Sequence, residues 1–489
     1  MSVIERDLLA AVPTQLFING QWVDGQAENQ IDVEDPSTGK VLTSIANASA
    51  EDALRALTAA DEAQQKWSRT APRERAEILR KTFDLVRARS EEFATLISLE
   101  MGKPLAEARG EVTYGNEFLR WFSEEAVRIT GRYNSNPEGT GKILIAQRPV
   151  GPAYAITPWN FPLAMATRKI GPALAAGCTM VVKPAELTPL TTLLLAKTFE
   201  EAGLPAGVLN VITTSQSAEV SAPVIRDHRL RKITFTGSTQ VGRKLLEQSA
   251  ERVLKTSMEL GGNAPFLVFE DADIDAAVNG AMLAKMRNIG QACTAANRFI
   301  VHESVAAEFA EKFATKMGQL NLGRGVAEGT TCGPVITAKA QANLQRLVDV
   351  SKSEGAEVLV GGAAAEREGY FFEPTVLDNV DANSAIWREE IFGPIAPITR
   401  FKNEDEAVRL ANDTEFGLVS YAFTADAKRQ LRLVETLDTG MTGINSGLVS
   451  NAAAPFGGTK ASGLGREGGA EGIHEYLETK YAFIPDPFA

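Results

Sequence analysis

Four short stretches decide how this chain folds: PAYAIT (152–157), TMVVKP (179–184), VLNVIT (208–213) and KITFTG (232–237). Each is an apolar run of strand length ending near Thr, Pro or Gly, and helical runs such as LTTLLLAKTFEEAG (190–203) separate them. Strands buried on both faces lose the polar alternation of half-exposed ones, so this pattern reads as βαβ units on a parallel sheet. A second series starts at APFLVF (264–269) and runs through RFIVHE (298–303), EVLVGG (357–362) and IAPITRF (395–401). Two α/β units in tandem suit 489 residues, too many for one core.

Upstream, LFINGQWVDG (16–25) predicts a hairpin around Asn19-Gly20, and SAEDALRALTAADEAQQKWSR (49–69) opens a helix with a near capping box. RAEILRKTFDLVRARSEEFATLISLEMG (75–102) and YGNEFLRWFSEEAVRITG (114–131) predict one helix each, and GTGKILIAQRP (139–149) a strand. No internal repeat or low-complexity linker interrupts this order.

The net charge of −12 is spread along the chain, which argues against nucleic acid or an anionic membrane as the main partner. Cys178, Cys293 and Cys332 lie far apart, and His228, His302 and His474 are isolated, so neither a disulfide framework nor a metal site is expected. The first 20 residues carry acids and lack a basic segment followed by an apolar core; no signal peptide is expected. The longest apolar run, IGPALAAGCTMVV (170–182), is too short to span a bilayer. These features together predict a cytoplasmic setting.

Four motifs could carry chemistry. FTGSTQVG (235–242) runs from a strand into a Gly-rich turn and a helix, where a helix N-terminus favours an anion. Its G-x-x-x-x-G spacing fits a plain βα turn equally well. VVKPAELTP (181–189) puts Lys183 and Glu186 at the carboxyl end of a strand, where open α/β sheets bind ribose and phosphate; a solvated loop remains the alternative. In MELGGNAP (258–265), Glu259 stands beside two glycines at the start of an apolar strand. A carboxylate in such a pocket has a raised pKa and can serve as a general base. DADIDAAVNGAMLAKMRNIG (271–290) reads as an Asp-capped helix ended by Gly290, and QACTA (291–295) as a small-residue turn. Cys178 in its apolar run reads as a buried filler, whereas Cys293 lies on an element boundary where either a filler or a reactive thiolate is possible.

PWNFP (158–162), KPAELTP (183–189), FTGSTQVG, MELGGNAP, GQACTAANR (290–298), EEIFGP (389–394) and PFGGTKASGLGREGG (455–469) together resemble the aldehyde dehydrogenase superfamily, in family order over essentially the whole chain. MRNIGQAC (286–293) and GLVSNAAAPFGGTKASGLGREGG (447–469) are most similar to its succinate-semialdehyde dehydrogenases. The resemblance implies a Rossmann-like cofactor domain (1–127 and 148–257) and a second α/β catalytic domain (258–450). It also implies a small β oligomerisation extension (128–147 and 470–489) and a segment, 451–469, returning to the active site. A homodimer or homotetramer is implied with it.

By the same resemblance Cys293 is the nucleophile, adding to an aldehyde to give a thiohemiacetal and then a thioester. Asn160 and the Cys293 N–H form the oxyanion hole, and Glu259 activates the hydrolytic water. The cofactor is NAD or NADP. Thr157, Pro158, Trp159, Lys183, Glu186, Gly237, Ser238, Gly242, Leu260, Glu390 and Phe392 surround it. Glu186 would repel a 2′-phosphate, which favours NAD. Arg168, Arg287 and Ser450 match positions that grip the carboxylate of succinate semialdehyde. Glutarate semialdehyde, another short aldehyde, or a non-catalytic role on the same scaffold are the alternatives; Glu259 speaks against acyl transfer to CoA. Ala295 stands where several relatives carry a second cysteine, so no local disulfide switch is expected.

Overall fold

The computed structural model describes residues 2–488; Met1 and Ala489, at the outer ends of the ranges assigned above, lie outside the described residues. The four opening stretches form strands Ala153–Ile156, Met180–Lys183, Leu209–Val211 and Lys232–Thr236, all parallel. The chain steps from the first strand outward through the next two, then returns to place Lys232–Thr236 on the first strand's other side. That reversal opens a crevice beyond Ile156 and Thr236, where α/β sheets take ligands. Strand Lys255–Glu259 continues this sheet, and the hairpin Leu16–Ile18/Gln21–Val23 closes its far edge antiparallel. Asn19 and Gly20 turn that hairpin with φ 54° and 70°.

The second sheet runs in spatial order Glu357–Val360, Thr375–Asp378, Ile395–Phe401, Ala296–His302, Ala264–Val268, Val419–Phe423 and Met441–Ile444. All neighbours are parallel except the first, so EVLVGG is an antiparallel edge strand and not a member of the βαβ series. The connection from 360 to 375 holds no helix; Gly361 and Gly362 turn the chain at φ 69° and 100°, and Ala364 pairs back on Phe372 antiparallel. A third sheet pairs Arg132–Ser135, Gly141–Pro149 and Leu477–Pro485 antiparallel, leaving Tyr133, Leu144, Tyr481 and Phe483 exposed.

Residues 75–102 form two helices rather than one. Arg89 (φ −106°, ψ 22°) separates Pro72–Ala88 from Ser90–Met101, because polar RARSEE gives that turn no apolar face to keep straight. The next helix starts at Leu105, well before Tyr114, on the far side of Gly102 and Pro104. Glu259 ends the strand Lys255–Glu259 instead of starting one; residues 260–263 then carry the chain into the second sheet. Cys178 is fully buried, as a filler would be, and its thiol donates to the Tyr476 carbonyl at 3.3 Å. Among the described residues no helix is long and apolar enough to cross a membrane, and no three His, Cys, Asp or Glu gather into a metal site.

Candidate active site

The helix Ile274–Met286 is capped by Asp273, whose carboxylate accepts the Ala276 N–H at 2.9 Å. Arg287 leaves the helical conformation, and Asn288, Ile289 and Gly290 follow at φ 57°, 61° and 74°. For a β-branched residue such as Ile289 this left-handed backbone is strained, so the surroundings must impose it. They do: the Asn288 amide donates to the carbonyls of Asn160 and Gln291, both at 2.9 Å, and Gln291 Oε1 accepts the Ile336 N–H at 3.0 Å. At Gly290 a Cβ would stand 2.2 Å from the Gly393 carbonyl, so only glycine fits. The tight corner sets Cys293 in a short turn ahead of the strand Ala296–His302.

Cys293 forms part of the wall of two cavities. The first, about 220 Å³, is also lined by Trp159, Asn160, Leu260, Glu390 and Phe392. It opens at Pro158 and Ser238 into a cleft of about 550 Å³ over the crevice of the first sheet. The second cavity is narrow and lies behind Cys293, between Arg168, Arg287, Ser450, Tyr114, Phe161 and Phe456. The thiol therefore stands where two pockets of different character meet.

The cleft gathers most of the positions expected around a dinucleotide. Thr157, Pro158, Trp159, Lys183, Glu186, Gly237 and Ser238 line it. Ser238 caps the helix Thr239–Ala250, so that helix presents its positive end to the cleft. Gly237 allows close backbone approach; a Cβ there would meet the Phe235 ring at 2.4 Å. Lys183 is buried, its ammonium donating to Ser217 Oγ at 3.1 Å; burial pulls its pKa down and Glu186 opposes that. Glu390 accepts the Gly262 N–H at 3.0 Å, and burial raises its pKa to about 7. Phe392 meets Trp159 edge-on at 5.4 Å. Helix end, lysine, rim carboxylate and close-approach glycine together fit a dinucleotide. Gly242 is the exception: it lines neither cavity and instead packs on Leu260, which a Cβ would meet at 2.4 Å.

On the other side charge decides the arrangement. Arg168 is 1% exposed and ion-paired with Glu467, its guanidinium 4.2 Å from the Phe456 ring centre. Glu467 also pairs with Lys169, which donates to Thr236 Oγ1 at 2.7 Å. Burial alone would raise the Glu467 pKa, but Arg168 and Lys169 hold it below the usual value. Arg287 differs: among the described residues it forms no ion pair, donates to Ser450 Oγ at 3.1 Å, and lies over Tyr114 and Phe161 at 5.4 and 5.1 Å. The sequence reading missed Glu467 although it lies in the quoted GREGG run; nothing local marks it apart from other charged loop residues.

Asn160 donates its side-chain amide to the Gln291 carbonyl at 3.0 Å, beside Cys293. Glu259 is buried, with Oε2 lacking a hydrogen-bond partner among the described residues, and stacks against Gly457, whose hypothetical Cβ would be 3.0 Å from Oε1. Burial first, then repulsion from Glu467, raises its pKa well above the carboxylate range. Glu259 does not line either cavity that meets Cys293. Burial also pushes the Cys293 thiol up to about 12; Arg168 and Arg287 pull it down, while Glu259 and Glu390 add to the rise. The thiol is thus protonated at neutral pH.

A family model described as "Aldehyde dehydrogenase family" matches residues 22–482. The chain is 60% identical to a succinate-semialdehyde dehydrogenase of Paenarthrobacter nicotinovorans, covering 92% of this chain and all of the relative. It is 48% identical to a glutarate-semialdehyde dehydrogenase of Pseudomonas putida, covering 96% of this chain and 97% of that one. The crystal structure of an NADP-dependent enzyme of Escherichia coli superposes with a TM-score of 0.96 at 47% identity, over 98% of this chain and 99% of the other. A family match over residues 22–482 and a relative 60% identical over 92% of the chain settle where it belongs: this chain is a member of the aldehyde dehydrogenase family.

Proposed function

We propose that this enzyme oxidises succinate semialdehyde to succinate, with NAD preferred over NADP. One observation carries the substrate class: Arg287 is an unneutralised guanidinium in a chain of net charge −12, opening onto the same narrow cavity as Cys293. With Ser450 beside it, Arg287 offers a carboxylate several donors, and the Tyr114 and Phe161 rings keep water from competing. Arg168, already held by Glu467, supplies positive potential more than a free fork.

With the carboxylate so held, Cys293 Sγ adds to the aldehyde carbon as its proton passes to water in the adjoining cavity, and the carbonyl oxygen becomes an oxyanion. The Asn160 amide and the Cys293 backbone N–H stabilise that charge. A bound nicotinamide dinucleotide supplies the hydride acceptor. Glu259, whose raised pKa suits a general base, then takes a proton from water attacking the Cys293 thioester, releasing succinate and the thiol. Gly237 and Ser238 would hold the pyrophosphate, Lys183 and Glu186 the adenosine ribose, and Glu390 and Phe392 the nicotinamide side. Thr157, Pro158, Trp159 and Leu260 wall the site; Gly242 shapes it through Leu260. Glu186, exposed at the rim, disfavours a 2′-phosphate, which supports NAD.

The same reading gives 1–127 and 148–257 to the cofactor and 258–450 to the chemistry. Segments 128–147 and 470–489 would join copies into a homodimer or homotetramer, which the exposed aromatic residues of the third sheet support. Three free cysteines support a reducing, cytoplasmic setting. Glutarate semialdehyde is the second substrate reading, favoured by the Pseudomonas putida relative. Steady-state kinetics on a panel of aldehydes test the assignment. Arg287→Ala is expected to raise KM for succinate semialdehyde about 10- to 100-fold, the worth of a charge-assisted hydrogen bond, while leaving butanal nearly unchanged. Equal effects on both would overturn it.

A further inference from the structure

Asn160 and Cys293 lie on segments far apart in the chain, and a buried polar junction outside both cavities holds them together. Its centre is the Asn160 carbonyl, which accepts from Lys103 Nζ at 2.9 Å and from the Asn288 amide at 2.9 Å. Lys103 sits in the turn between the helices Ser90–Met101 and Leu105–Glu125, is fully buried, and lies 4.0 Å over the Phe161 ring. Its ammonium also pairs with Glu111 Oε2 at 2.5 Å. The other oxygen of Glu111 accepts the N–H groups of Leu163 and Ala164 at 2.9 and 3.3 Å, in the first turn of the helix Pro162–Ala176. One ion pair thus grips residues 160–164 at both ends.

The other half of the junction is a closed ring. Asn288 donates to the carbonyls of Asn160 and Gln291, and the Asn160 side-chain amide donates back to Gln291. That last bond uses one of the two Asn160 amide hydrogens and fixes the amide plane, leaving the second for an incoming oxygen. An ammonium has several donors, so it can serve Glu111 and the Asn160 carbonyl at once, which an apolar residue could not. Neither Lys103 nor Glu111 lines a cavity meeting Cys293.

We infer that Lys103 and Glu111 are positioning residues that aim the Asn160 amide at the oxyanion. This rests on the aldehyde dehydrogenase reading of Asn160 and Cys293.

The test separates addition to a carbonyl, which makes an oxyanion, from alkylation by iodoacetamide, which does not. The double variant Lys103→Met/Glu111→Gln removes both charges together, so no lone buried ion remains. Its kcat, on whichever aldehyde the enzyme turns over best, is expected to fall about 10- to 100-fold, below the loss of a whole oxyanion donor. KM and the rate of Cys293 alkylation are expected to stay within about twofold, since neither Lys103 nor Glu111 lines either pocket. In an Asn160→Ala background the same double change should cost almost nothing further. Asn288→Gly, which tolerates the left-handed backbone, removes the ring's donors and should show the same split; it carries the test if the double variant does not fold. The inference is overturned if turnover and alkylation fall together, or if the double change costs as much without the Asn160 amide as with it. If instead Asn160→Ala leaves turnover intact, the reading of the site fails, not the clamp alone.

Discussion

The two sides of Cys293 are built by different means. The cofactor side is a wide cleft made by strand ends, a helix start and glycines. The far side is narrow and made by side chains whose meaning depends on which charge faces which. Arg168 and Arg287 both line it, yet one is neutralised by Glu467 and the other is not. Two like residues in one cavity therefore play unlike parts, and local sequence does not tell them apart.

The sharpest way to separate the steps that the two sides serve is Glu259→Gln. Deacylation should slow by about 10² to 10⁴, while a burst of reduced dinucleotide survives in rapid mixing. Loss of the burst as well would place Glu259 in the first step.

Next in size is stability. Arg168→Ala strips a buried carboxylate of one partner and should cost about 3 kcal/mol in denaturant unfolding, the low end for such pairs because Lys169 still faces Glu467. Arg287→Ala should stay within about 1 kcal/mol, because among the described residues it breaks one hydrogen bond, to Ser450, and no ion pair. Similar losses in both would erase the contrast between the arginines.

The thiol offers a pH test. With its pKa pushed up to about 12 by burial, the thiolate fraction of the free enzyme rises with pH through the neutral range. Iodoacetamide labelling should climb about tenfold per pH unit from 7 to 9 without a plateau. A plateau below pH 8 would show that the pocket lowers the pKa instead.

The smallest effect belongs to the open cleft. Glu186→Gln should raise the kcat/KM ratio of NADP to NAD by about 3- to 10-fold, the scale of an exposed charge contact. An unchanged ratio would remove Glu186 from the selection.

Much of the cofactor side was legible from residue order alone. Strand identity follows from apolar runs, and Gly237, Ser238 and Lys183 stand where a strand ends, so their placement is local. The split at Arg89 and the antiparallel edge strand Glu357–Val360 were not legible, because a polar helix break and a strand's direction depend on neighbours distant in sequence. The site divides in the same way. Cys293, Asn160 and Glu259 were named by resemblance, and Arg287 with them; Glu467, Lys103 and Glu111 were not named at all. Each of those three is a charged residue whose sequence neighbours are ordinary, and its importance comes from being buried against a partner from another segment.

Sequence by itself determined most of the elements and the turn that carries Cys293, because periodicity and glycine placement act over a few residues; the family came from the resemblance of its motifs. Only the tertiary structure decided which arginine forms no ion pair among the described residues, which amide is pinned beside Cys293, and which carboxylate has its pKa driven up by burial. Those are electrostatic outcomes. They depend on burial and on charges brought close by folding, and neither quantity exists along a linear chain.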